Sequence, residues 1–202
     1  VYAALGSRVT VVEMTGGLLP GVDRDLIVPL AKRLRSRLHA IHLTTRVADI
    51  ADDPSGLRAT LEDLKTGETR SEPFAKILVA VGRRPNTGDL ALDRAGLAAD
   101  DRGFIPADAD GRAGQPRIYA AGDAAGNPML AHKATHEARA LVARLAGRPA
   151  HASRHVPAVV FTDPEIAWVG LTETEARERD IEVRVSKFPW AASGRALTLD
   201  RA

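Results

Sequence analysis

The sequence predicts an α/β fold, and three observations carry that prediction. A β-branched run at residues 9–12 ends on Glu13, and after a glycine-rich loop come apolar residues at helical spacing. A second run, Lys76 followed by five apolar residues to Val81, stops at Gly82. Alanine-rich residues 131–145 form a further helical pattern. Short apolar runs bounded by turn residues, interspersed with helical segments, are the pattern of sheets covered by helices.

In chain order, residues 1–5 read as the last turn of a helix, and Gly6 suits the left-handed position just past a helix end. The start lacks an initiating Met and a charged leader region, so it reads as a chain entered mid-element and not as a signal peptide. Residues 9–12 are expected as a short buried parallel strand. Gly16, Gly17, Pro20 and Gly21 make a loop. Asp23 is placed to cap a helix carrying Leu26, Ile27, Leu30, Leu34 and Leu38 on one face. Runs at 41–47, at 57–61 and before Phe74, with turns at 53–56 and 66–67, predict an antiparallel meander. Residues 76–81 predict another buried strand. A polar, linker-like stretch runs to Pro116, and a short strand at 117–121 stops at Gly122-Asp123. After Pro149 the pattern changes. Residues 158–161 and 166–169 flank an Asp163-Pro164 turn, and Thr172 to Glu175 has the spacing of a capping box. Residues 182–188 alternate as a strand would.

Composition narrows the function classes. Of 202 residues, 45% are hydrophobic and 27% charged, an ordinary globular balance, with a net charge of only +2. Cysteine is absent, which excludes disulfides, zinc-thiolate sites and thiol chemistry within this chain. There is no basic run interleaved with aromatics, so no nucleic-acid partner is expected. No apolar stretch reaches membrane-spanning length, so no membrane partner is expected and the cytoplasm is the expected location.

Several positions could carry chemistry. An acid such as Glu13, at the end of the second strand of a βαβ unit, can accept both ribose hydroxyls of NAD and repel the 2′-phosphate of NADP. That acid normally follows a Gly-rich loop by about 20 residues, which would place the loop before Val1. Gly82, directly after an apolar run, permits close backbone approach to a ligand at a sheet's carboxyl edge. Asp123 can bind ribitol or sugar hydroxyls of a nucleotide. The helix starting near Ala131 offers free N–H groups and a positive dipole end to a reduced flavin ring. Each has a plainer alternative: a solvated strand-end carboxylate, a Gly-Pro turn with two solvated arginines, a turn aspartate. His132 and His136 have the spacing of a metal pair but no third ligand nearby, so a structural or solvent role is expected and no metal. Asp163 and Glu165 read as a turn with an exposed acid, and Trp168 and Trp190 as core or interface anchors.

Taken together and in order, these segments resemble the dihydrolipoamide dehydrogenases. Residues 9–13 with 18–25, and residues 79–86, resemble the second half of that family's NAD-binding domain. Residues 119–123, followed by Pro128-Met129-Leu130-Ala131-His132-Lys133, resemble its second flavin segment. Residues 156–157, 161–170 and 188–196 resemble the start of its dimer-interface domain. The resemblance implies three parts: residues 1–87 as a partial Rossmann-like NAD-binding domain, 88–154 as a partial FAD or central domain, and 155–202 as the start of an α+β dimerisation domain. It implies FAD and NAD as cofactors. Glu13 would hold the adenosine ribose and Val47 would pack near the adenine. Ala80, Val81, Gly82 and Arg83 would line the NAD cleft. Asp123 would bind the flavin ribitol, with Met129, Leu130, Ala131 and His132 running along the isoalloxazine. The implied activity is oxidation of dihydrolipoamide, with electrons passing through FAD to NAD, as a homodimer serving the 2-oxo acid dehydrogenase complexes.

The family's redox cysteine pair, its His–Glu base and both Gly-rich loops have no counterpart among these residues, so no catalytic residue is assigned and the isolated chain is expected not to turn over. A mercuric- or glutathione-reductase-like enzyme is a second reading. A non-catalytic dimerisation or binding module, anchored by Trp168, Val169, Phe188 and Trp190, is a third.

Overall fold

In the computed structural model, residues 1–150 and 155–200 are described. Strand β1 (Thr10–Val12) lies parallel to β2 (Ala40–His42), with Thr10 opposite Ala40, and α1 (Arg24–Arg37) makes the crossover that parallel pairing demands. Ahead of β1, Tyr2–Leu5 form a 3₁₀ turn closed by Gly6 at φ 96°, as the sequence predicts.

The meander also forms as expected. Strands β3 (Thr45–Asp53), β4 (Gly56–Asp63) and β5 (Thr69–Phe74) are antiparallel in the order β3-β4-β5. In the central strand β4, Ala59 and Leu61 sit two residues apart and are both buried, so one face is apolar. Gly56 opens β4 at φ 137°, and a Cβ there would stand 2.6 Å from Phe74 O, so only glycine fits.

The face of α1 is narrower than its leucine spacing suggests. Ile27 and Leu30 are buried, whereas Leu26 is exposed. They pack with Val22 against Ile166, and Leu34 and Trp168 close the cluster. Ile166 and Trp168 belong to β7 (Ile166–Trp168), which pairs antiparallel with β6 (Ala158–Val160) across the Asp163-Pro164 turn. Helix α1 is therefore roofed by the β6–β7 hairpin. Burying each such aliphatic side chain is worth about 1.5–3 kcal/mol. Polar ties flank the contact: Arg33 and Arg37 reach Asp163 Oδ2 at 3.3 and 3.1 Å, and Lys187 reaches Asp25 at 3.0 Å.

Helix α3 (Glu173–Glu178) begins with the predicted capping box. Glu175 N–H donates to Thr172 Oγ1 at 3.2 Å, and Thr172 N–H donates to the Glu175 carboxylate at 3.0 Å. The predicted cap of α1 is a correction. The Asp23 carboxylate makes no bond to its own helix and accepts Glu173 N–H at 3.0 Å instead. An orphan donor at the start of α3 thus competes successfully for it.

Three further expectations are corrected. Residues 76–81 form no strand, and Val81 is 91% exposed. A buried parallel strand requires neighbours on its edges and cover on both faces, and no described residue supplies them here. Residues 117–121 make only one bridge, Tyr119 to Arg112, because the 112–120 segment folds back on itself as a tight turn. Residues 182–188 alternate in sequence yet pair with no strand among the described residues, and Val183 and Val185 are exposed. The stretch before Pro116 is more than a linker. It holds a 3₁₀ turn (Leu92–Ala95) and a small apolar cluster of Ile105, Ala113 and Ala120 backed by Leu92, Leu97 and Ile118. That cluster seats the Gly122-Asp123 turn, with Ile105 N–H donating to Ala124 O at 2.8 Å. Helix α2 (Ala131–Leu145) follows, and α4 (Gly194–Thr198) lies near the end. Trp168 is part of the core as expected, whereas Trp190 is exposed.

Candidate functional site

Glu13 with Val47, and Asp123 with residues 129–132, form two clusters, and no hydrogen bond among the described residues ties residues 80–83 to either. In the first, Glu13 leaves the end of β1, where its backbone N–H donates to His42 O at 2.8 Å and its C=O accepts Thr45 N–H at 3.0 Å. Glu13 therefore stitches β2 to the start of β3 and places Val47 two residues beyond the stitch. The Glu13 side chain is half-buried. Oε1 accepts Thr15 N–H at 2.7 Å, and Oε2 has no partner among the described residues. One oxygen anchors the carboxylate while the other keeps its acceptor capacity, which suits a sugar hydroxyl. Burial, ahead of the charge of Arg70, pushes the His42 imidazole below its ordinary 6.5. Ala80, Val81, Gly82 and Arg83 are all exposed. Gly82 stands at φ 130° with nothing within 4 Å of where a Cβ would be, so its backbone is open to a ligand. No hydrogen bond ties residues 80–83 to Glu13.

The second cluster is held more tightly. Gly122–Ala124 form a single 3₁₀ turn that packs on the start of α2. Gly122 sits at φ 71°, and a Cβ there would meet Ala134 Cβ at 2.8 Å. The glycine lets the turn approach the helix. Asp123 is exposed, and its carboxylate has no partner among the described residues. Met129 and Leu130 are half-buried, Ala131 and His132 exposed, and Leu130 is the residue at which α2 begins. The His132 ring meets Pro157 O, which links the helix start to the segment before β6. Among the described residues, no group of three His, Asp or Glu could hold a metal ion.

Two residues of this cluster, Lys133 and Glu137, are given no role by the sequence, although Lys133 closes the Pro128–Lys133 motif. Lys133 is 6% exposed, and its ammonium donates to Gly122 O at 2.9 Å and to Gly126 O at 3.0 Å. Its third contact is Glu137, 3.2 Å from Oε1. Glu137 Oε2 in turn accepts Gly122 N–H at 2.7 Å. The spacing of four on an alanine-rich helix was visible, but such a pair reads first as a solvated surface bridge. A cleft of about 240 Å³ lies against this face of α2, between Lys133, Glu137 and Arg144 and the 107–111 loop. A hollow of about 280 Å³ beside Ala95 and Gln115 touches neither cluster.

The comparisons with known proteins bear on both clusters. The family model described as pyridine nucleotide-disulphide oxidoreductase matches residues 1–138, and that described as its dimerisation domain matches residues 156–202. The chain belongs to this family. Relatives of the pyridine nucleotide-disulphide oxidoreductase chain include the dihydrolipoyl dehydrogenases of Vibrio cholerae, 39% identical over 203 residues, and Thermus scotoductus, 43% identical over 202. Each match covers 100% of this chain, but only 42% and 44% of those two proteins. Among solved structures, LpdA of Mycobacterium tuberculosis superposes with a TM-score of 0.85 at 29% identity, covering 98% of this chain and 43% of that one. The HOCl-induced flavoprotein disulfide reductase RclA of Escherichia coli gives 0.82 at 28% identity, covering 98% of this chain and 45% of its own. The chain thus spans less than half the length of the relatives it matches. Its oxidoreductase fold agrees with the α/β class read from the sequence. No described helix is long and apolar enough to cross a membrane.

Proposed function

We propose that this chain is the central portion of a flavin- and NAD-dependent dihydrolipoyl dehydrogenase. The carrying observation is the unpartnered Asp123 carboxylate on a turn whose both ends are fastened to the start of α2. The residues present fit the two cofactors. For FAD, Asp123 would take ribitol hydroxyls, and Met129, Leu130, Ala131 and His132 would border the ring. The open N–H groups at the start of α2 favour negative charge there. For NAD, Glu13 Oε2 would accept from the adenosine ribose, Val47 would lie by the adenine, and Ala80 to Arg83 would border the cleft. When bound, the flavin supplies the two-electron relay between a dithiol and the nicotinamide. This chain's own residues bind and orient; none of them attacks, protonates or deprotonates substrate.

The proposal divides the chain into residues 1–87, which hold NAD, 88–154, which hold the flavin, and 155–202, which dimerise. The intact protein is a homodimer that oxidises the dihydrolipoamide of 2-oxo acid dehydrogenase complexes in the cytoplasm. Supporting the dimer are the family match over residues 156–202 and the exposed Phe188 and Trp190 on that part. Supporting the lipoyl substrate are the names of the relatives. Hydride transfer needs both cofactors positioned together, so the 202-residue chain by itself is expected to be inactive.

Two measurements test the reading. The full-length polypeptide should purify yellow and reduce NAD with dihydrolipoamide, while the chain alone gives no NADH. In that polypeptide Glu13→Arg should raise KM for NAD by roughly ten- to a hundredfold, since a charge-assisted acceptor becomes a repelling donor set. A wild-type protein that already prefers NADP, or turnover by the chain alone, would overturn the assignment.

A further inference from the structure

We propose that Lys133 and Glu137 are positioning residues that set the Asp123 carboxylate for its ligand, an inference that rests on the flavin reading above. Gly122 lies between two peptide planes, and the pair holds both. Glu137 Oε2 accepts the Gly122 N–H at 2.7 Å, fixing the plane before it. Lys133 Nζ takes Gly122 O at 2.9 Å, fixing the plane that carries the Asp123 amide. The same ammonium takes Gly126 O at 3.0 Å. The turn is therefore pinned on both sides of Asp123, by one side chain that spends two of its three donors on those carbonyls and the third on Glu137.

An ordinary solvated bridge between residues one turn apart does none of this. Its charged ends sit in water and touch only each other. Here the lysine is buried, and three of the pair's contacts leave the helix for the turn. A buried ammonium is tolerable only when its donors are all satisfied, and breaking one contact loosens the set. Gly122 also sits so close to Ala134 that a Cβ there would meet it at 2.8 Å, which brings the turn against the helix. What remains is the Asp123 side chain itself, exposed and without a partner among the described residues. The geometry is that of a ligand-binding carboxylate whose own support comes from behind.

The test is a double-mutant cycle on FAD binding to the full-length apoprotein, read by quenching of flavin fluorescence. Lys133→Met and Asp123→Asn are each expected to weaken FAD by roughly ten- to a hundredfold, the cost of a lost charge-assisted hydrogen bond. Together they should weaken it by no more than about twice the worse single change, because Lys133 acts through the carboxylate already lost. Lys133→Met should also alter the shape of the bound flavin's visible absorption bands, while affinity for NAD stays within about twofold of wild type. Should Lys133→Met fail to fold, Lys133→Gln, which keeps one donor for the turn, enters the same cycle with a smaller expected loss. Wild-type FAD affinity in the Lys133 variant, or losses that multiply in the double variant, would overturn the positioning role alone. A wild-type protein that takes up no flavin would instead remove the functional reading and this role with it.

Discussion

Strand β4 and residues 76–81 both read as strands in the sequence and meet opposite fates. Both are short runs with aliphatic residues in succession or alternation. In β4, Leu61 is fully buried, flanked by β3 on one edge and β5 on the other. In the later run, Val81 is 91% exposed and no described strand lies alongside. The difference is partners. The meander closes its hydrogen bonds through turns of a few residues, so the sequence carries everything the three strands need. A parallel strand draws its neighbours from distant chain, and the relatives are more than twice as long as this one.

Core truncation is the sharpest way to break that comparison. Leu61→Ala should destabilise the chain by about 2–5 kcal/mol, the usual cost of a fully buried leucine. Val81→Ala should change it by less than about 0.5 kcal/mol, as for other exposed sites. Urea denaturation followed by circular dichroism measures both. In the full-length polypeptide the gap should narrow, because a neighbour strand would bury Val81. Equal losses in the short chain would mean that residues 76–81 are already packed.

Gly122 and Gly82 repeat the contrast on a smaller scale. Gly122→Ala combines a left-handed backbone with a 2.8 Å clash against Ala134, and should cost about 1–3 kcal/mol. Gly82→Ala meets open space at φ 130°, so only the backbone penalty remains, at about 1 kcal/mol. Thermal melting of the two variants would rank them. The reverse order would place a hidden contact at Gly82.

A device that closes within four residues should be indifferent to chain length. Thr172→Ala removes the Thr172 half of the box at the start of α3 and should cost about 0.5–2 kcal/mol, alike in the short chain and the full-length polypeptide. The Asp23 carboxylate on Glu173 N–H is common to both contexts, so a loss that differed between them would show that α3 leans on residues outside these 202.

What the sequence disclosed follows the same division. The 3₁₀ turn ending at Gly6, the meander, the β6–β7 hairpin and the Thr172 box are all local, and each is legible from spacing and turn chemistry. Asp23 was legible as a cap but not as the cap of α3, since its partner is 150 residues away. In the candidate site, Glu13, Gly82 and Asp123 announce themselves by following apolar runs. Lys133 and Glu137 do not, because nothing in a sequence tells a solvated pair from one that turns inward onto Gly122. Their contribution depends on α2 lying against the turn, which is a fact of packing.

The smallest effect expected concerns His42, which sits at the junction where β2 passes to the Glu13 stitch. Burial holds its imidazole below the ordinary 6.5, so the folded chain keeps the ring neutral while the unfolded chain protonates first. Stability from this group is complete above pH 6.5 and erodes as the pH falls from 6.5 toward the lower folded value. His42→Gln should remove that portion of the acid dependence and leave the carboxylate portion in place. The latter includes Asp53, held at about 2 chiefly by the Ser55 hydroxyl, then the Ser55 N–H and Arg58, whose contribution persists until the pH falls from 3.8 through that value. Melting curves of wild type and His42→Gln at steps between pH 7.5 and pH 5 (roughly one unit either side of the free histidine value) would separate the two. If the curves stay parallel over that interval, His42 is no more buried than the exposed residues 76–81, and the β1–β2 junction belongs with them rather than with the meander.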